Sequence, residues 1–310
     1  MAPSDLITLQ SADIEVGIVP AIGGRVVTLR RTDGDNVLFA PKELWSNWRD
    51  TRPDWDAYPT WQPYHGHITW LGPQSGFWNQ QDRHPEKRGD NWPPDPAQIY
   101  GAFETLARTR TTLELRGPPS PFTGMQLTKR FELAGNEVRL SVIATNCRDQ
   151  PVSWDLWSNT RVRPDVPSFT PIGGEADIRM VNVEGPPLQW RIENGVFAFE
   201  PTNRRTAAKG KAFLTTSHSW IASLHPDSLL VKSFSKTPPD QIHSEQALVE
   251  IYLDTGSAEA PGLQELEFHG PFMTLAPGES MTQTETWTLL ARSGEKAQSW
   301  LEDHHINGWR

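Results

Sequence analysis

The chain is predicted to be all-β, a large antiparallel sandwich or barrel. Short runs of alternating apolar and polar residues recur along its 310 residues, bounded by Gly, Pro, Asn and Asp. Only residues 295–304 have helical spacing, with Ala297, Trp300 and Leu301 on one side and Gly308 beyond. No linker, low-complexity tract or short repeat divides the sequence, so residues 1–310 read as one domain.

The elements follow in order. Residues 13–19 place Ile14, Val16 and Ile18 on one face of a half-buried strand, which Pro20 ends. Gly23-Gly24 marks a bend or a close backbone approach. Residues 25–31 resume as a strand, Asp33-Gly34-Asp35-Asn36 supplies hairpin chemistry, and Val37-Leu38-Phe39 is the expected return. Past residue 102 the pattern is β almost throughout. Met125, Leu127, Phe131 and Leu133 pair across Gly135-Asn136 with Val138, Leu140, Val142 and Ala144. In the run 152–162, Asp155, Trp157 and Asn159 share one face. Further strands are expected at 176–181, 188–191, 196–199, 219–224, 228–235, 248–254, 263–269 and 284–291. Residues near Arg204-Arg205 and Lys209-Lys211 read as a solvated loop.

Residues 44–96 break the pattern. Trp45, Trp48, Trp55, Trp61, Trp70, Trp78 and Trp92 lie here, seven of the 14 tryptophans, with Tyr58, Tyr64, His65 and His67 among them. The stretch reads as a Trp-rich loop insertion in which residues 64–70 form a short strand. Disordered segments are poor in aromatics, so an ordered role is expected. Either the rings wall a polar ligand, for which an indole offers an apolar face and one N–H, or they anchor the insertion to the β-scaffold.

Composition narrows the partners. The formal charge is −9, with no basic cluster, which argues against nucleic acid and anionic membranes. No run of about 20 apolar residues is available to span a bilayer. The single cysteine, Cys147, excludes an internal disulfide and is expected as an inert core thiol. Residues 1–10 lack the charged and apolar regions of a secretory signal, so the chain is expected in the cytoplasm, or in the periplasm or outside the cell had a signal been removed.

Three segments carry a likeness. Residues 14–26, ending Ile22-Gly23-Gly24-Arg25-Val26, with Asn36-Val37-Leu38, resemble the N-terminal strand pair of galactose-mutarotase-like proteins. His65-Gly66-His67-Ile68-Thr69-Trp70-Leu71-Gly72-Pro73-Gln74 resembles the "GGH-x-x-W-x-x-P-E" block of an uncharacterised mutarotase-like family, with His65 in place of the first Gly and Gln74 in place of the Glu. Leu266-Glu267-Phe268-His269-Gly270-Pro271, then Leu275-Ala276-Pro277-Gly278-Glu279-Ser280 and Glu285-Thr286-Trp287, resembles that family's late block. The resemblance implies an antiparallel β-supersandwich with one short C-terminal helix and a sugar cleft on the concave sheet. Relatives include aldose 1-epimerases, and the same fold serves polysaccharide lyases and hydrolases, so fold alone does not set the reaction.

Interconverting the anomers of an aldose takes two proton transfers, which a carboxylate and an imidazole suit near neutral pH. The resemblance implies a late-strand Glu as base. Glu265 and Glu267 share a strand face, and Glu267, nearer the Gly-Pro turn, is the candidate; the pair could equally be exposed rim carboxylates. His67 is the candidate acid, with His65 on its face. A His-x-His pair can also bind metal, but a third ligand would have to come from elsewhere, with Asp82 and Glu267 as candidates, and no metal or cofactor is called for. Arg25 is a candidate positioner for a hydroxyl pair or a uronate, with a buried ion pair as the alternative. Trp70 and Trp78 are candidate stacking walls. Trp157, the mid-strand Lys232 and Tyr252, which shares a face with Glu250, complete the expected substrate contacts. The partner expected is a carbohydrate ligand, and the reading is an aldose 1-epimerase-like enzyme. The alternatives are a non-catalytic glycan-binding module or a lyase or hydrolase on the same fold. A lyase would draw on Tyr64, His65 and Arg25, and a hydrolase on Asp155 with Glu265 or Glu267.

Overall fold

A computed structural model describes residues 6–54, 60–200, 207–257 and 260–306. Trp55, Tyr58, Arg204, Arg205 and Gly308 lie outside the described residues. Strands β1 (Ile7–Gln10), β2 (Ile14–Val19), β3 (Arg25–Arg31), β4 (His67–Gly72), β5 (Glu104–Arg108), β6 (Thr112–Arg116) and β7 (Met125–Ala134) fill the first half. Then come β8 (Glu137–Asn146), β9 (Val152–Val162), β10 (Ser168–Pro171), β11 (Ile178–Glu184), β12 (Trp190–Glu193), β13 (Val196–Phe199) and β14 (Lys209–Leu214). Last are β15 (Trp220–Leu224), β16 (Ser228–Phe234), β17 (Val249–Asp254), β18 (Leu263–His269), β19 (Met273–Leu275) and β20 (Ser280–Ala291), followed by a helix over Glu295–Asp303. Among the described residues no helix is long and apolar enough to cross a membrane.

Two antiparallel sheets face each other. One runs β1-β2-β3-β4-β9-β18-β17-β14-β11 with β19 beside β9, and we call it the site sheet. The other, the backing sheet, runs β12-β13-β10-β15-β16-β20-β8-β7-β6-β5. Alternation assigns the faces of the site sheet. Leu266 and Phe268 of β18 and Val249 and Ile251 of β17 join the core with Ile221 and Phe234 of the backing sheet. Phe234 stacks on Phe268 at 4.1 Å between ring centres. Glu265, Glu267 and His269 therefore point to the outer face of the site sheet.

The short strand expected within the Trp-rich stretch is β4, which takes a place inside the site sheet, between β3 and β9. Other expectations are corrected. The return at Val37-Leu38-Phe39 is not a strand, because the Asn36 side chain takes that role, accepting from Leu29 N at 2.9 Å and donating to Val27 O at 2.8 Å. Lys209–Leu214 is a strand, not a loop; its inward positions are Gly210, Ala212 and Leu214, and the small residues mask the alternation. Cys147 is exposed rather than in the core, since it follows β8 at a turn.

The bend into β4 is tightly specified. Gly66 has φ +70°, and a Cβ there would lie 2.2 Å from Val26 O. His65 before it also has φ +55°, a region that favours glycine. Its carbonyl accepts from Arg25 Nη1 at 2.8 Å, which helps hold the unusual backbone.

Candidate functional site

Strand register assembles the outer face as a lattice. Arg161, Asn159 and Trp157 of β9 lie opposite Glu265, Glu267 and His269 of β18. Glu265 and Glu267 lie opposite Tyr252 and Glu250 of β17, and Tyr252 lies opposite Lys211 of β14. On the other flank, Trp70 of β4 lies opposite Trp157. Since paired residues share a face, these side chains form one continuous surface.

Its centre is a chain of buried charges. Lys211 Nζ is 2.5 Å from Glu267 Oε2 and 2.6 Å from Glu250 Oε2. His269 places Nε2 3.3 Å from Glu250 Oε1 and Nδ1 3.3 Å from Asp155 Oδ1. Asn159 Nδ2 donates to Glu267 Oε1 at 2.7 Å. Three carboxylates thus face two cations, and Glu267 ends the chain. Burial pushes its carboxyl up to about 8, with Glu265 and Glu250 adding to the effect against Lys211. Burial also disfavours the charge on Glu250, but Lys211 and His269 outweigh it and hold Glu250 at about 2. For His269, Glu250 and Asp155 outweigh burial and raise the imidazole to about 9.

A run of polar atoms beside this chain is buried and has no hydrogen-bond partner among the described residues: Asp155 Oδ2, Trp157 Nε1, Asn159 Oδ1, Arg161 Nη1 and Trp70 Nε1. An unmade bond of this kind costs roughly 1–3 kcal/mol, so five on one sheet face suit a ligand rich in donors and acceptors. Indoles flank them. Trp70 meets Trp157 edge-on at 5.4 Å, and Trp61 lies 4.7 Å from Trp92. Lys211 Nζ sits 4.8 Å from the Trp157 ring centre, and the Arg161 guanidinium 5.4 Å from that of Trp70. Solvent reaches the rim through the Lys211 and Glu265 side chains, 16% and 19% exposed, whereas Glu267 is fully buried.

Of the sequence candidates, Glu265, Glu267, Trp70, Trp157 and Tyr252 come together here. His67 does not. It points to the opposite, inner face, with Nδ1 2.9 Å from Thr160 Oγ1, and burial then Lys232 hold its imidazole well below the usual range. Pairing His67 with Glu267 across one hollow is therefore corrected: β4 alternates, and the outward residues are Ile68 and Trp70. Lys232 is inner too, fully buried with Nζ 3.3 Å from Glu285 Oε2, 3.2 Å from Ser158 Oγ and 2.5 Å from Thr160 Oγ1. Neither solvent nor a cleft receives it. Trp78 is a buried anchor rather than a wall, donating to Pro93 O at 2.9 Å and packing on Phe122. Arg25 and His65 meet at the bend into β4. Arg25 also donates to Ile99 O at 3.3 Å, and burial followed by Arg161 lowers it to about 9. Burial, then Arg161 and Arg25, bring His65 down to about 3. Among the described residues no group of three or more His, Cys, Asp or Glu side chains is placed to hold a metal ion.

Sequence reasoning missed Lys211, Arg161 and His269 as site residues. The alternation that put Glu267 on a face with Glu265, and Asn159 on a face with Trp157, extends two positions to His269 and to Arg161 and was the signal available. Lys211 lay hidden in what read as a loop.

The described architecture is that of a galactose-mutarotase-like β-sandwich, and comparison with solved structures agrees. A protein from Escherichia coli K12 provisionally named an aldose 1-epimerase is 12% identical, with a TM-score of 0.58 over 92% of this chain and 99% of its own. Galactose mutarotase-like proteins from Lactobacillus casei (13% identity, TM-score 0.53, 92% and 100% covered) and Clostridium acetobutylicum (11%, 0.52, 92% and 95%) are similar in the same way. No curated protein sequence matches the chain. Within that fold the chain belongs to the family described as Domain of unknown function (DUF4380), whose model matches residues 5–290.

Proposed function

We propose that the protein binds a sugar on the outer face of β9, β18 and β17 and interconverts its anomers as an aldose 1-epimerase-type enzyme. The observation that carries this reading is the row of orphaned buried polar atoms alongside Glu267. Hydroxyls would pair with Asn159, Asp155 and the indole N–H groups, and a ring face would lie on Trp157 or Trp70. Glu267, when ionised, accepts the proton of the anomeric hydroxyl as the C1–ring-oxygen bond breaks. An acid delivers a proton to the ring oxygen, and the roles reverse on closure from the other side. His269, protonated and on the same face, takes the acid role expected of His67. No metal or cofactor enters this reading.

A second reading has its own support. Both ring nitrogens of His269 are engaged by carboxylates, and a non-catalytic glycan-binding module needs no mobile proton. Magnetisation-transfer NMR across a panel of aldoses separates the two. The enzyme reading expects exchange between α and β anomers above the spontaneous rate, lost in Glu267→Gln. Binding seen by tryptophan fluorescence with no acceleration for any sugar would leave the binding module.

A further inference from the structure

We infer that the sugar carries an anionic group, a carboxylate or a phosphate, and that Arg161 is the residue that receives it. The inference rests on the sugar-site reading and sharpens it. The outer face is split by charge. Around Glu267 the unpaired atoms include two acceptors, Asn159 Oδ1 and Asp155 Oδ2, with the neutral Trp157 N–H between them, a set that suits sugar hydroxyls. Toward β3 and β4 they are donors: Arg161 Nη1, Trp70 Nε1 and Arg25 Nε. Among the described residues the donor pole is short of negative charge. Arg161 and Arg25 are both buried and near enough for Arg161 to weaken the charge of Arg25. Glu265 is the carboxylate bound there, and it takes Arg161 at Nε, 2.8 Å away, leaving Nη1 open. Arg25 donates to the carbonyls of His65 and Ile99, lies over the Tyr64 ring, and makes no ion pair among the described residues. A buried cation without a counter-charge is unfavourable, and a ligand anion at Arg161 would supply one.

The chemistry at this point also favours an anion over a hydroxyl. A guanidinium with a free N–H end binds carboxylate and phosphate oxygens more strongly than neutral ones. Trp61 and Trp70 lie 6.0 and 5.4 Å from the Arg161 carbon and limit its movement, so the free N–H end is held in place. A neutral aldose would leave that end without a charged partner.

Titrations followed by tryptophan fluorescence, with glucose and galactose set against glucuronate, galacturonate and the two 6-phosphates, test the inference. At least one acidic form is expected to bind ten or more times more tightly than its neutral parent, with the margin shrinking as salt rises. Whichever acid wins identifies the anionic group. The double variant Arg161→Gln with Glu265→Gln, which removes the cation and its partner carboxylate together, is expected to abolish the margin. Should that variant fail to fold, the ligand series and its salt dependence on the unaltered protein still decide. Neutral sugars that bind as well as both acidic forms would overturn the inference and leave the sugar site standing. Binding of none of the six would overturn both.

Discussion

The two faces of β9 carry networks built from the same kinds of residue. Inward, Ser158 and Thr160 meet Lys232, Glu285 and His67. Outward, Trp157, Asn159 and Arg161 stand beside Lys211, Glu267, Glu250 and His269. Both networks are buried apart from Lys211 at the outer rim. In the inner one Ser158 Oγ donates to Glu285 Oε1 at 2.9 Å, Trp287 Nε1 donates to Glu285 Oε2 at 2.6 Å, and among the described residues none of its buried side-chain polar atoms is left unpaired. The outer one leaves Trp157, Asn159, Asp155 and Arg161 each with an atom that has no partner among the described residues. Satisfaction, rather than composition or burial, separates a network that fixes two sheets together from one made to meet something else.

The comparison breaks most readily at its two carboxylates. Glu267→Gln keeps shape and hydrogen-bonding reach, so anomer exchange should fall by roughly 100-fold or more while far-UV circular dichroism stays unchanged. Undiminished exchange would remove Glu267 from the chemistry. Lys232→Met on the inner face should do the reverse. It strands the Glu285 charge between the sheets and should cost about 3–5 kcal/mol in urea unfolding, with Lys232→Met plus Glu285→Gln recovering much of the loss. If Lys232→Met unfolds no more easily than Glu267→Gln, the two faces do not differ as described.

Period-two alternation made the sheets legible from sequence, and it placed Glu265 with Glu267 and Trp157 with Asn159. It could not say which face of a strand meets the other sheet when both carry polar residues. On β4, His67 and Thr69 look like the polar, outward set and Ile68 and Trp70 like the core set. The structure has them the other way round, because the inner face holds a polar network and the outer face an aromatic one. Lys211 was lost for a related reason: Gly210 and Ala212 fill its strand's inward positions without announcing a hydrophobic run. The chain of charges from Glu267 to Asp155 spans four strands, and only tertiary register reveals it.

The excess carboxylate should also show in the pH dependence of stability. Glu267 rises from 4.5 to about 8 on folding. Between those values the folded protein holds a proton that the unfolded chain has released, so the contribution of Glu267 is fully present below 4.5 and is lost as pH rises through 8. Other buried groups titrate as well, so the quantity to measure is the difference between the natural protein and Glu267→Gln. That difference should move against the natural protein by up to about 1.4 kcal/mol per pH unit across the window and then level off. A flat difference from pH 5 to 8 would mean that Lys211 keeps Glu267 ionised throughout.

The smallest expected effect tests the contrast between the faces most directly, because it uses one substitution on each. Trp157→Phe retains a ring on the outer face and removes an N–H that has no partner. Stability should hold or rise slightly, since a buried donor without a bond has been deleted, whereas affinity for the best-bound sugar should fall about tenfold, near 1.4 kcal/mol, if that N–H is made to meet a hydroxyl. Trp287→Phe on the inner face removes an N–H already bonded to Glu285, so it should lower stability by roughly 1–3 kcal/mol and leave affinity alone. The opposite signs for two chemically identical changes are what the difference in satisfaction requires. Equal losses of stability at both positions would show that the Trp157 N–H is already satisfied in solution, and the outer face would then lose its claim to be a binding surface.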